Sequence, residues 1–375
     1  MPINSKIRKL IEQNGSIKLD EMMLQVTSVS PSSYYQKQNK LGCLGDFTTS
    51  PEISQLFGEM IALWVIDQWY KMGCPQKTNL VELGPGQGVL MRDLLNVAKL
   101  VPEFYQSLSI ELIDINPHFI KKQQANLKMV GLPIKHHTAV QYISKIPSII
   151  IANEFFDAMP IKQYVKTKEL WYESTLIIDP ADGKIKFDKI EVSKELQRYL
   201  LQEHLNAHDG AVIEESPKSL EIIKFISKHI MKFGGASLVI DYGYDIDPIK
   251  RTRNQYNPTL QAIKNHKYYP LLETLGEADL SAQVDFYALK TVGKNIGINV
   301  HGSITQRDFL ISNGILLRSQ LLQSKLPTIE ANIIAKQVDR LIALNKMGLL
   351  FKVLCLVYCC DFKSWVDEGQ LQEEL

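Results

Sequence analysis

The run Val81-Glu82-Leu83-Gly84-Pro85-Gly86-Gln87-Gly88 sets a carboxylate two residues ahead of three alternating glycines. An apolar stretch precedes it, and the helical pattern Val89-Leu90-Met91-Arg92-Asp93-Leu94-Leu95 follows. Glycine permits a sharp turn and lets a ligand reach backbone N–H groups that a Cβ would shield. The dinucleotide fingerprint is G-x-G-x-x-G, whereas this loop reads G-x-G-x-G. A carboxylate at Glu82 would repel a pyrophosphate but suits a ligand with an amino-acid end and a cationic sulfur. The expected cofactor is therefore S-adenosyl-L-methionine, with Glu82, Gly84, Gly86 and Gly88 as binding residues.

The next apolar run, Ser109 to Ile113, ends at Asp114, where a carboxylate can accept both ribose hydroxyls. Glu111 lies within the run and is the weaker candidate. A third run ends at Lys135-His136-His137-Thr138, and Thr138 is expected beside the adenine. The fourth gives Ile149-Ile150-Ile151-Ala152-Asn153-Glu154-Phe155-Phe156-Asp157-Ala158-Met159-Pro160. Polar groups leaving the carboxyl end of a parallel strand face the ligand cleft. Asn153, Glu154 and Asp157 thus become catalytic candidates, able to hold a guanidinium through bidentate hydrogen bonds while a phenylalanine covers its plane. Asp241, after Leu238-Val239-Ile240, repeats the pattern and is the fourth candidate. The competing reading makes Asn153 and Asp157 turn caps and places the phenylalanines in the core, and at least one of them is expected there.

The elements that must position these groups alternate short apolar runs with helical stretches, which predicts an α/β fold with a mostly parallel sheet. Seven candidate strands are read: 80–83, 109–113, 134–137, 148–152, 236–241, 298–302 and 351–358. Residues 1–75 read as a helical cap region, with Ser50 as an N-cap ahead of Pro51. A methyltransferase-type domain at 76–360 carries insertions at about 161–233 and 244–297, and an acidic tail spans 361–375. The first insertion holds a hairpin broken at Pro180-Ala181-Asp182-Gly183. In the second, Asp279 or Ser281 is read as a helix cap.

Lys plus Arg number 42 against 41 Asp plus Glu, so no global field draws the chain to nucleic acid. The longest apolar segments fall short of the roughly 20 residues of a membrane helix. Cys43, Cys74, Cys355, Cys359 and Cys360 lack metal-ligand spacing and read as reduced core thiols, and no metal is expected. Acidic residues at Glu12, Asp20 and Glu21 argue against a transit peptide. A cytoplasmic location is expected for a bacterial-type chain, a mitochondrial one for a eukaryotic chain.

Several blocks together resemble the MidA-type methyltransferases, a family that includes a mitochondrial assembly factor of respiratory complex I. They are Gly45 to Ser54, Glu82 to Gly88, Ala152 to Pro160, Asp241-Tyr242-Gly243, Thr259 to Ala262 with His266, Gly276 to Phe286 and Met347 to Val353. The resemblance spans residues from about 30 to 357. It implies a Rossmann-like class I methyltransferase fold with a seven-stranded sheet, and a helical N-terminal part whose Gly45-Asp46-Phe47 segment lines the cleft, with Ser50 and Pro51 as cofactor-binding residues. It also implies a protein arginine as acceptor, possible acceptors including a complex I subunit, and an insertion around Gly276–Phe286 that helps to select it. The chain departs from the family at Asp114 with Asn116-Pro117, at Gln87, often arginine, and at Leu349, often glutamate. Two other functions stand beside arginine methylation: an assembly or binding protein with little turnover, and a small-molecule methyltransferase.

Overall fold

The computed structural model describes residues 3–29, 49–264 and 267–358. Cys43, Cys359, Cys360, His266, Gly45 to Thr48, nearly all of the Ser28–Asp46 loop and the tail at 361–375 lie outside the described residues.

Runs rich in β-branched residues, such as Ile149-Ile150-Ile151, favour a pleated and buried surface. They form β1 (Thr78–Leu83), β2 (Leu108–Ile113), β3 (Ile134–His137), β4 (Ser148–Asn153), β5 (Gly235–Tyr244), β6 (Asn299–Thr305) and β7 (Phe351–Tyr358). Their order is β6-β7-β5-β4-β1-β2-β3. The strands from β1 to β5 pair in parallel, while β7 runs antiparallel to both β5 and β6. The two-residue strand Val284–Asp285 also pairs with the end of β5, so the sheet has eight strands, one more than the sequence suggested.

Side chains alternate across such a sheet. Leu80, Ile149, Ile151, Leu238 and Ile240 enter one apolar layer, and Val81, Leu83, Ile150, Ala152 and Val239 enter the other. Each such fully buried large aliphatic side chain contributes about 1.5–3 kcal/mol. Among the described residues, four α-helices precede the sheet: α1 (Ile3–Asn14), α2 (Leu19–Leu24), α3 (Ser50–Ile53) and α4 (Gln55–Lys71). After β1 comes α5 (Val89–Ala98), after β2 comes α6 (Pro117–Asn126), and α7 (Pro217–Phe233) leads into β5. The first layer is covered by α4 and α5, the second by α7.

Within residues 1–75 the helices pack in two different clusters. Leu56, Phe57, Met60 and Ile61 of α4 pack into the first apolar layer of the sheet. By contrast, Ile3, Ile7 and Ile11 of α1 share a separate cluster with Leu176 of the first insertion and Leu280 of the second. The helix start is also displaced: Thr49 is the N-cap of α3, Ser50 its first residue, and Ser54 caps α4 through the Leu56 N–H at 3.4 Å.

The first insertion is larger than a hairpin. Lys162–Thr167, Leu170–Ile178, Ile185–Glu191 and Val212–Glu215 form a sheet that also takes in Ile17–Lys18. In the second, Gln261–Lys264 pairs with Lys267–Tyr269 and with Asp279–Ser281. The helix cap there is Asp285, which accepts the Ala288 N–H at 3.0 Å; Asp279 and Ser281 lie on a strand instead. Cys355 is buried, whereas Cys74 is exposed and is not a core thiol.

Candidate functional site

Strand order reverses between β1 and β4, and open parallel sheets bind ligands outside the carboxyl ends at that switch point. A cavity of about 1050 Å³ opens there, lined by residues of both strand ends, α2, α3 and the two insertions.

Glu82, one residue before the end of β1, lines this cavity with 3% of its surface exposed. Its Oε2 has no hydrogen-bond partner among the described residues. Burial, helped by Asp114, pushes its carboxyl up to about 8. Gly84, Gly86 and Gly88 adopt φ of +64°, +52° and +78°, a region that side chains rarely enter. Gly84 and Gly86 line the cavity, while Gly88 is the N-cap of α5 and turns the chain into that helix. A Cβ at Gly84 would lie 2.8 Å from the Phe155 ring, so glycine there also admits the aromatic wall of the other half.

Asp114 follows β2 on the same rim. Its Oδ1 accepts the Asn116 N–H at 2.8 Å and its Oδ2 accepts Gln123 Nε2 at 2.8 Å. Burial pushes the carboxyl up to about 6 against those hydrogen bonds. Gln123 Nε2 also donates to Gly86 O at 2.8 Å, tying the glycine loop to Asp114. Thr138 lines the cavity, but His137 turns away, its Nε2 3.2 Å from Glu111 Oε2. Glu111 itself is fully buried and accepts the Ser144 N–H at 2.9 Å.

On the β4 side, Asn153, Glu154, Phe155 and Asp157 all line the cavity. Glu154 sits at φ +49°, a strained conformation for a residue with a side chain. Its Oε1 accepts the Ser50 N–H at 2.7 Å and Asn153 Nδ2 at 3.3 Å. Burial pushes the Glu154 carboxyl up, and burial followed by repulsion from Asp241, Asp279 and Glu154 holds that of Asp157 well above the carboxylate range. Phe155 meets Phe156 edge-on, ring centres 5.3 Å apart, and Phe156 belongs to the core layer.

Two further expected positions do not line the cavity. Asp241 is fully buried behind the wall, because β5 continues through it to Tyr244. Its Oδ2 accepts the N–H groups of Phe155, Phe156 and Asp157, and its Oδ1 accepts that of Tyr242 at 3.0 Å. It lies off the cavity and holds the backbone of the 155–157 turn. Ser50 is likewise fully buried, its N–H holding Glu154, whereas Pro51 lines the cavity. Sequence reasoning passed over Glu52, Gln123 and the cavity-lining orientation of Asp279. Glu52 Oε1 accepts Gln87 Nε2 at 3.2 Å, joining α3 to the glycine loop. The capping-box spacing from Thr49 to Glu52 was the available signal for that residue.

The residues present fit a ligand with a cationic centre and a ribose: an unpartnered buried carboxylate oxygen at Glu82 and a second carboxylate at Asp114, on either side of a glycine turn. A family model for S-adenosyl-L-methionine-dependent methyltransferases matches residues 60–304. Protein arginine methyltransferase NDUFAF7, mitochondrial, of Danio rerio is 33% identical over 361 residues, covering 90% of this chain and 82% of the relative. The Homo sapiens protein of that name is 29% identical, covering 95% and 84%. A COG1565 superfamily member of Burkholderia thailandensis, solved bound to S-adenosyl-homocysteine, superposes with a TM-score of 0.85 at 24% identity over 97% of this chain and 94% of its own. That likeness is one of fold.

The relatives also correct the expected cytoplasmic location, since they are named as mitochondrial proteins. The N-terminal residues behind that expectation form α1 and α2, whose composition answers to packing: Ile7 and Met22 are fully buried. Family match and cavity agree, and the chain belongs to the MidA-type family of S-adenosyl-L-methionine-dependent methyltransferases.

Proposed function

We propose that this chain methylates a terminal guanidinium nitrogen of an arginine in a protein. The observation that carries the reading is the wall formed by Asn153, Glu154 and Asp157, facing the same cavity as Glu82 and Asp114. Carboxyls pushed up by burial and mutual repulsion are relieved when a cation enters, and a guanidinium matches carboxylates bidentately. The names of the relatives agree with that acceptor.

Glu82 and Asp114 are the residues we assign to the cofactor, with the Gly84–Gly86 turn and Thr138 completing its cradle. Bound there, S-adenosyl-L-methionine supplies a methyl group on its sulfonium. Phe155 and the Glu154 carboxylate align the acceptor nitrogen, and alignment accounts for much of the rate of an in-line displacement. Glu154 or Asp157 would accept the proton that the acceptor nitrogen sheds when it takes the methyl group. Of the N-terminal region, we assign α1 and α2, together with both insertions, to the cap over the acceptor side.

The test incubates the protein with labelled S-adenosyl-L-methionine and extract from a strain lacking it. A labelled protein band whose digest yields methylarginine is the expected result. Label on lysine, or only in small molecules, overturns the reading. The family resemblance directs the search for that band first to subunits of respiratory complex I.

A further inference from the structure

The second insertion brings a carboxylate that the strand ends do not supply. Asp279 begins the short strand Asp279–Ser281, flanked by Ala278 and Leu280. Successive strand side chains point to opposite faces, and Ala278 and Leu280 are buried in the cluster built on Ile3 and Ile7. Asp279 is therefore turned the other way, onto the cavity wall, with 6% of its surface exposed.

Its position is held from three directions. Ala282 N–H donates to Asp157 O at 2.9 Å, clamping the segment to the acceptor loop. The strand pairs Asp279 with Ile263. Gly276, at φ +77°, lets the chain pass so close to α1 that a Cβ would lie 2.8 Å from Ile3 Cβ.

Packing alone does not favour another acid here, because its charge raises the cost of ionising Asp157. Buried like charges are tolerable where a cation joins them. An independent observation points to the same ligand. Asn153 is 7% exposed, its Nδ2 is engaged by Glu154, and its Oδ1 has no hydrogen-bond partner among the described residues. The wall thus carries the acceptor groups of Asn153, Glu154, Asp157 and Asp279 on one cavity. A guanidinium brings five N–H donors in one plane, whereas an ammonium brings three.

Resting on the arginine reading above, we propose that Asp279 and Asn153 Oδ1 complete the acceptor pocket, so that the second insertion selects a guanidinium over an ammonium side chain. The full chain, loaded with S-adenosyl-homocysteine, is titrated by calorimetry with methylguanidinium, methylammonium and N-methylurea. Methylguanidinium is expected to bind most tightly. Loss of one charge-assisted contact in Asp279→Asn should raise its Kd about tenfold or more, and Asp279→Glu should recover part of that. The Kd for S-adenosyl-homocysteine should stay within about twofold of wild type, since the change leaves the carboxylates of the cofactor half in place. The proposal is overturned if Asp279→Asn binds methylguanidinium as wild type does, if methylammonium binds equally well, or if wild type binds no methylguanidinium. It also falls if the variant loses affinity for S-adenosyl-homocysteine by the same factor, which marks a structural effect. Failure of the arginine reading shows separately, as label on another residue type in the extract experiment.

Discussion

Asp241 Oδ2 accepts the backbone N–H of Asp157 at 3.2 Å, so one buried carboxylate holds the peptide that carries another. The same oxygen accepts from Phe155 at 3.1 Å and Phe156 at 2.9 Å, which fixes the whole acceptor turn to β5. Each buried N–H left unpaired costs about 1–3 kcal/mol. Asp241→Ala should therefore lose at least about 3 kcal/mol in urea unfolding, taking methyl transfer down with it. Asp241→Asn retains one acceptor oxygen and should lose less. An alanine variant as stable as wild type would refute this positioning role.

The two carboxyls of the cofactor half give a pH signature. Burial pushes Glu82 up to about 8 and Asp114 up to about 6. Both hold protons in the folded protein that the unfolded chain, with carboxyls near pH 4, has already shed. Their contribution to stability is therefore fullest below about pH 4 and is lost as pH rises through 6 and then 8. A cationic cofactor favours the ionised forms, so its affinity should rise over that window and its binding should release protons. Calorimetry at pH 7 in buffers of different ionisation enthalpy measures the release. Heats independent of buffer would contradict it, and Glu82→Gln should remove the upper part of the pH dependence.

The strand ends were legible because an apolar run followed by an acid is a local pattern, and Glu82, Asp114, Asn153, Glu154 and Asp157 all reach one cavity. Asp241 was misplaced because its strand does not end there: β5 pairs with β7 through Asp241 and Tyr242, burying both. Strand length at a sheet interior depends on the partner strand, which no local window contains. Ser50 was misplaced by one position, since Thr49 takes the cap and turns the Ser50 N–H onto Glu154. Asp279 was read as a cap because the core that buries its neighbours Ala278 and Leu280, and so turns it to the cavity, includes Ile3 and Ile7, more than 270 residues earlier in the chain.

Gly84 is constrained twice, by φ +64° and by the 2.8 Å approach of a Cβ to the Phe155 ring. Gly84→Val must leave the left-handed region or displace Phe155, and a branched residue tolerates the former least. Both halves of the site should suffer. The expectation is a cofactor Kd raised at least about tenfold together with a raised acceptor KM, from strain of order 1–3 kcal/mol. Loss confined to the acceptor KM would mean that Phe155 yields and the glycine turn does not need its conformation.

Gln123 joins the two cofactor elements through a single atom, its Nε2 donating to Gly86 O and to Asp114 Oδ2, each at 2.8 Å. That second bond lowers the Asp114 carboxyl against the upward push of burial. In Gln123→Met the shape is kept and both bonds are lost, so Asp114 should titrate higher and be more protonated near neutrality. A protonated carboxyl accepts ribose hydroxyls less well. Affinity for S-adenosyl-homocysteine should then fall by about tenfold at pH 6.5, in keeping with the loss of a hydrogen bond to a charged group, and recover as pH rises toward 8.5. The pH profile decides the role: an equal loss at every pH would show that Gln123 only braces the loop, whereas recovery shows that it sets the ionisation of Asp114. The acceptor KM should not move in either case, because Gln123 contacts the cofactor half alone.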